Sequence, residues 1–150
     1  MHPVRRTVAD TTRRLIHRFY HHFWNGRHYE AADRLMAPRG VLRGTLSTSQ
    51  EQGPEGLVRY ARRLTRAFPD VEMQVHELIV ERDRAAARVT CTGTHRGEVF
   101  GHAGTGRRVR YDCFVLFRVA RGRITEVRVH SDRGELEDQL GGPGDDTRSH

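Results

Sequence analysis

The sequence contains no lysine, and all 26 of its basic residues are arginine. Set against 19 acids they leave a formal charge of +7. A surplus of that sign suits nucleic acid or an anionic ligand. Here the arginines run along the whole chain with acids interleaved, and no aromatic-interleaved basic stripe or nucleic-acid motif accompanies them. The charge therefore reads as arginine filling every solvated basic position, as GC-rich coding favours, and attraction of an anionic substrate remains compatible with it. No nucleic-acid partner is expected. Long apolar runs are also missing, and nothing approaches the ~18 residues of a helical membrane span. Met1 to Arg6 leads into an amphipathic segment rather than an apolar run with a cleavage site, so the expectation is a cytoplasmic protein with no membrane partner. Cysteine is scarce. Cys91 and Cys113 sit inside strand-like runs without metal-ligand spacing, which suits buried free thiols in a reducing compartment.

What is present is enough for one core. At 150 residues, 36% hydrophobic and 30% charged, the chain reads as a single globular domain over 1–140. The tail 141–150 has almost no apolar content to bury and is expected to be disordered. Three helical segments come first. Over Val8 to Asn25, Leu15, Ile16, Phe19, Tyr20, Phe23 and Trp24 form one broad apolar face, with Asn25-Gly26 as the αL terminator. A short helix from His28 to Met36 stops ahead of Pro38. After a polar loop at 47–52, Pro54 opens a third helix with the stripe Leu57, Tyr60, Ala61, Leu64 and Phe68. The rest alternates with period two, predicting strands over 71–81, 85–99, about 109–119 and 124–130, then a terminal helix over 135–140. Helices followed by an antiparallel meander indicate an α+β fold, its sheet curled around the helices into a pocket.

Most motifs dissolve on inspection. His17 and His21 lie four apart, but Arg18 stands where a metalloprotease helix needs glutamate, so no metal is expected. Gly101 to Gly106 has the outline of a phosphate loop, yet Arg107-Arg108 and a strand follow it rather than Lys-Ser/Thr and a helix. No Gly-x-Ser-x-Gly elbow is present. What remains is Thr94-His95 at the end of one strand and His130-Ser131-Asp132 at the end of another. Strand parity puts Ile124, Glu126, Arg128 and His130 on one side, with Asp132 if no bulge intervenes. A solvated edge face accounts for that pattern as well as a catalytic one does. A carboxylate in an apolar pocket would have a raised pKa and could serve as a base near neutrality.

From about Phe19 to Gly141 the chain resembles the SnoaL-like polyketide cyclases. The matching stretches are Phe23-Trp24-Asn25-Gly26, Gly53-Pro54-Glu55-Gly56-Leu57, Ala67-Phe68-Pro69-Asp70, Gly93-Thr94-His95-Arg96-Gly97-Glu98, Gly104-Thr105-Gly106-Arg107, Ile124-Thr125-Glu126, Asp132 and Gln139-Leu140-Gly141. The resemblance implies the cone-shaped α+β barrel of nuclear transport factor 2 and ketosteroid isomerase, a homodimer, and cofactor-free aldol closure of a polyketide-like small molecule. It implies Asp132 as general acid/base, with His95 assisting by a hydrogen bond to the substrate oxygen or to Asp132. Trp24, Tyr60, Tyr111, Arg43, Arg128 and His130 are the substrate-binding candidates. Three departures stand out: Arg43 replaces a frequent histidine, Arg128 a frequent tryptophan, and Val115 a frequent acidic or polar residue. A cation at Arg128 beside the base would lower the pKa of Asp132. That makes an epoxide-opening or hydroxyl-adding cyclase, or a hydrolase in which Asp132 activates water, an alternative to the aldol reaction, with a non-catalytic small-molecule-binding module the alternative outside enzymology.

Overall fold

The computed structural model describes residues 6–141; the expected disordered tail therefore lies, apart from Gly141, outside the described residues. Thr7 starts the chain's first helix, α1 (Val8–Arg18), with a reciprocal cap in which Asp10 N–H donates to Thr7 Oγ1 at 3.0 Å and Thr7 N–H to Asp10 Oδ2 at 3.2 Å. The helix then widens into a π-helical segment, Phe19–Asn25, that buries Phe19, Tyr20, Phe23 and Trp24. Period alone does not separate α from π at i, i+4 spacing, so the expected continuous α-helix is corrected here.

The terminator is also different. Gly26 is right-handed, and Arg27 adopts the positive φ of 62°. Gly26 is needed for room instead: a Cβ there would fall 2.6 Å from His22 O and 2.9 Å from His28 Cδ2. The expected second helix is a 3₁₀ turn, Tyr29–Ala31, leading into a single α turn, α2 (Ala32–Leu35).

A strand then appears where none was expected. β1 (Met36–Arg43) contains Pro38 and Gly40, which read as loop punctuation. It accommodates them in a bulge, its register against the strand at Arg123–Ser131 shifting between Met36 and Val41. β2 (Glu51–Gln52) precedes α3 (Gly53–Ala67), which buries the expected stripe. β3 (Glu72–Glu81), β4 (Arg84–Thr94), β5 (Arg108–Ala120) and β6 (Arg123–Ser131) form the meander, and α4 (Arg133–Gln139) closes the described chain.

The six strands lie in the order β2-β1-β6-β5-β4-β3, antiparallel throughout except for the parallel β1–β6 pair. The expected α+β architecture holds, with two more strands than the pattern suggested. β5 alternates strictly, burying Val109, Tyr111, Cys113, Val115, Phe117 and Val119. Those side chains meet α1 and the π-helical segment in one core, where Phe117 packs edge-on against both Phe19 and Tyr20.

Two strand expectations are corrected. β4 ends at Thr94 rather than Val99, because Arg96 and Gly97 turn their N–H groups to Ala67 O at 2.9 and 3.2 Å instead of to a neighbouring strand. In β6 the register slips between Val119↔Ile124 and Arg118↔Glu126, leaving Thr125 as an extra residue. Past that bulge Val127, Val129 and Ser131 lie opposite inward-facing Phe117, Val115 and Cys113. Glu126, Arg128 and His130 are thereby turned to the outer face, reversing the expected parity.

Candidate functional site

Two recesses take in the expected binding residues Trp24, Tyr60, Tyr111 and Arg43. The first is an interior cavity of ≈ 40 Å³ enclosed by Phe19, Tyr20, Trp24, Leu42, Thr45, Tyr60, Leu64, Met73, Val89, Cys91, Tyr111, Cys113, Val115, Val127 and Val129. Trp24, Tyr60 and Tyr111, three of the expected substrate-binding residues, are brought together here. α3 delivers Tyr60, whose hydroxyl accepts the Leu46 N–H at 3.2 Å. Burial pushes the Tyr20, Tyr60 and Tyr111 hydroxyls well above the ordinary phenol range, so all three remain protonated donors.

Cys91 and Cys113, diagonal across β4 and β5, share a thiol hydrogen bond that pushes Cys91 up and Cys113 down. Both are free. None of the described residues lining the cavity carries a carboxylate or an imidazole, and Val115 occupies the position where the resemblance led one to look for an acid.

The second recess is a groove of ≈ 980 Å³ bounded by Arg43 at the end of β1, Leu46, Ser47 and Thr48 after it, Arg63, Arg66 and Ala67 of α3, the segment Gly97–Phe100, and Arg133 of α4. Thr45 lines the cavity and Leu46 lines the groove, so the two adjoin at consecutive residues. Arg43 is the expected binding residue found here. Sequence reasoning missed Arg63, Arg66 and Arg133. The i, i+3 pair on α3 was visible, but nothing distinguished it among so many arginines.

Asp132 follows β6 and is exposed. It is the N-cap of α4, its Oδ1 accepting the Glu135 N–H at 3.0 Å. This corrects the expected start of that helix, since the capping carboxylate fixes the first turn at Arg133. His95 is fully buried on the inner side of the β4 line. Its Nδ1 accepts the Thr105 N–H at 3.3 Å and lies 3.0 Å from Thr105 Oγ1, while its ring tilts over Phe68 with centroids 5.9 Å apart. An Nδ1 that accepts a backbone N–H puts the neutral ring's proton on Nε2. Nε2 is buried and has no partner among the described residues. Burial holds this imidazole's pKa below its ordinary value.

The structure thus groups His95 with Thr105 and Phe68, and no hydrogen bond joins it to Asp132. Arg128, expected beside Asp132, instead contacts Glu126 on the outer face and lines a groove there with Arg118 and Leu116. His130 is exposed opposite Phe114 on that same face. The bulge at Thr125 is the physical reason for both. As for metal ligands, His22, His28 and Glu30 place ligand atoms within 4.8 Å of one another at a half-exposed to exposed spot, the two imidazoles stacked at 4.1 Å. His17 and His21 stack at 5.8 Å.

A family model described as SnoaL-like polyketide cyclase matches residues 14–140. No curated protein matches the sequence. Among solved structures, a protein provisionally named SnoaL-like polyketide cyclase from Jannaschia sp. CCS1 is similar with a TM-score of 0.83 and 21% identity, over 95% of this chain and 99% of that one. Wild-type IdmH of Streptomyces antibioticus, provisionally named a polyketide cyclase, is 27% identical with a TM-score of 0.74, over 87% and 98% of the two chains. An LEH-like epoxide hydrolase of M. tuberculosis shares the fold at a TM-score of 0.69 and 16% identity, over 89% and 87%.

Proposed function

Because this chain belongs to the SnoaL-like polyketide cyclase family, we propose that it is a cofactor-independent cyclase of secondary metabolism. It closes a ring in a polyketide-type intermediate by intramolecular aldol or related acid–base chemistry. The observation that carries this reading is the pair of recesses that meet at Thr45 and Leu46. The groove of ≈ 980 Å³ has the size of a ligand site, and the interior cavity of ≈ 40 Å³ has room for little more than water. The substrate is therefore assigned to the groove, with an apolar end reaching toward Trp24, Tyr60 and Tyr111. Asp132 is adjacent in sequence to the groove residue Arg133.

In this scheme Asp132 takes the proton α to one carbonyl, the resulting enolate carbon bonds to a second carbonyl carbon of the same molecule, and the proton returns from Asp132 to the new alkoxide. One carboxylate oxygen is held by the Glu135 N–H, which leaves the other for proton transfer. The Nε2 proton of His95, which has no partner among the described residues, is the donor proposed for the oxygen on which charge develops. Folding the chain against apolar walls gives the proximity that a unimolecular closure depends on. The same acid–base set fits hydroxyl attack on an epoxide or a conjugated carbonyl.

A homodimer accompanies the reading. Ile79, Phe114 and Leu116 are 66%, 62% and 52% exposed on the outer sheet face, an apolar cluster of the kind that a contact between two copies would cover.

A second reading, a binding module without chemistry, is favoured by the cavity lining, which offers no carboxylate or imidazole among the described residues. Metabolite profiling separates the two. An uncyclised intermediate accumulating in both a gene deletion and an Asp132→Asn strain supports the cyclase, whereas normal product in the Asp132→Asn strain alone supports the binding module.

A further inference from the structure

The groove is built for charge. Arg43, Arg63, Arg66 and Arg133 line it with one carboxylate, that of Glu98. Like charges gathered around one recess repel one another, a cost that a bound anion removes.

Two of the four are fixed in place. Arg63 donates to Leu46 O at 2.8 Å and lies 3.9 Å from Glu51 Oε2. Arg133 stacks over the Phe100 ring at 3.9 Å and reaches Glu137 Oε1 at 3.6 Å. The Phe100 backbone has a φ of 52°, a left-handed conformation that an aromatic residue seldom adopts. The chain holds that strain in the groove wall while Phe100 carries the guanidinium. The Arg43 and Arg66 side chains have no hydrogen bond or ion pair among the described residues, so their guanidinium donors are unspent.

The floor is different in kind. Val99 and Ala67 are buried, Leu46 nearly so, and the groove adjoins the apolar cavity at Thr45–Leu46. A cationic rim over an apolar floor suits an amphipathic anion.

We propose that this groove binds the anionic group of an otherwise apolar ligand, a carboxylate or a phosphate ester. Arg43 and Arg66 make the new contacts, and Arg63 and Arg133 supply a fixed field. The proposal deepens the cyclase reading by naming its substrate as an anion, and rests on that reading for placing the substrate in the groove. Guanidiniums are suited to both groups because their donors form a planar fork matching two oxygens at once.

Trp24, the sequence's one tryptophan, lines the adjoining cavity and makes binding readable by intrinsic fluorescence without turnover. Decanoate, decyl phosphate and decanol share one apolar chain and differ in the head. The expected result is that at least one of the two anions binds on the order of tenfold or more tighter than decanol. That preference disappears in Arg43→Gln/Arg66→Gln, which breaks no internal ion pair. It survives in Arg13→Gln/Arg34→Gln, which removes the same charge from exposed sites on α1 and α2. Tighter binding of decanoate assigns a carboxylate, and tighter binding of decyl phosphate assigns a phosphate ester. Equal binding of all three probes to the native protein, or equal loss in both double variants, overturns the proposal. Repeating the titration in Asp132→Asn keeps the two readings apart: anion binding retained with turnover lost supports both, and anion binding retained with turnover unchanged sinks only the Asp132 chemistry.

Discussion

Ser131 Oγ lies 3.1 Å from Thr45 Oγ1, so the last residue of β6 is fastened to the turn that follows β1. Thr45 faces the interior cavity and Leu46 faces the groove; across the hydrogen bond, Asp132 and Arg133 come next in the chain. One short contact therefore holds the seam between the two recesses beside the residue proposed as the base.

Asp132 has a structural duty as well as the proposed chemical one, and two substitutions separate them. Asparagine caps a helix about as well as aspartate, so Asp132→Asn should unfold at the native midpoint while losing turnover. Asp132→Ala loses the cap too, and should cost a further ~1 kcal/mol in urea denaturation. Native turnover in a folded Asp132→Asn protein would remove the carboxylate from the mechanism.

Gly44 is predicted to tolerate no side chain. A Cβ there would stand 2.3 Å from Tyr60 Cζ and Oη, and the ring, 4% exposed, is packed on its other sides. Gly44→Ala should destabilise by ~1–3 kcal/mol and break the Tyr60–Leu46 hydrogen bond. The double variant Gly44→Ala/Tyr60→Leu should regain part of the loss by removing the clashing atoms.

The buried imidazole of His95 gives a sign to the pH dependence. Its folded pKa lies below the 6.5 of a free histidine, so between the two values the unfolded chain holds more protons. Stability is therefore complete above about 6.5 and falls as pH drops toward the folded pKa. Denaturant midpoints measured from pH 8 to pH 5 should show this decline, and His95→Gln should flatten it. An equal slope in the variant would assign the effect elsewhere.

The homodimer proposal is tested on the outer sheet face. Phe114→Glu and Leu116→Glu replace exposed side chains and leave the core untouched. Light scattering should report the native protein as a dimer and the double variant as a monomer with an unchanged circular dichroism spectrum. A native monomer at micromolar concentration ends that part of the reading.

The legible parts of the fold are those whose pattern is local and regular. α3 shows its stripe from Leu57 to Phe68, and β5 alternates without a break from Val109 to Val119. β1 was hidden because Pro38 and Gly40 are loop signals that a bulge absorbed. The faces of β6 were misassigned because a bulge changes parity without leaving a residue type of its own.

Of the proposed site, Tyr60 and Tyr111 were placed on inward faces by the periodicity of α3 and β5, Trp24 also by the matching stretch at 23–26, and the structure brings these three together at the cavity and sets Arg43 at the groove. The remaining groove arginines were not legible, since guanidiniums at positions 63, 66 and 133 converge only once α3 and α4 are packed at the same end. His95 and Asp132 were each located near a strand end, but their distance apart is a matter of tertiary path.

The bulge in β6 has one more consequence. Ile124 faces inward before it and Val127 after it, so Thr125 works as a spacer between two stretches that already agree about inside and outside. Removing Thr125 would let the strand run straight with every other side chain keeping its side. Adding one residue between Val127 and Ser131 would exchange them, sending Arg128 or His130 toward the thiols. The strand thus has a single place where its length is negotiable, and a fixed frame everywhere else.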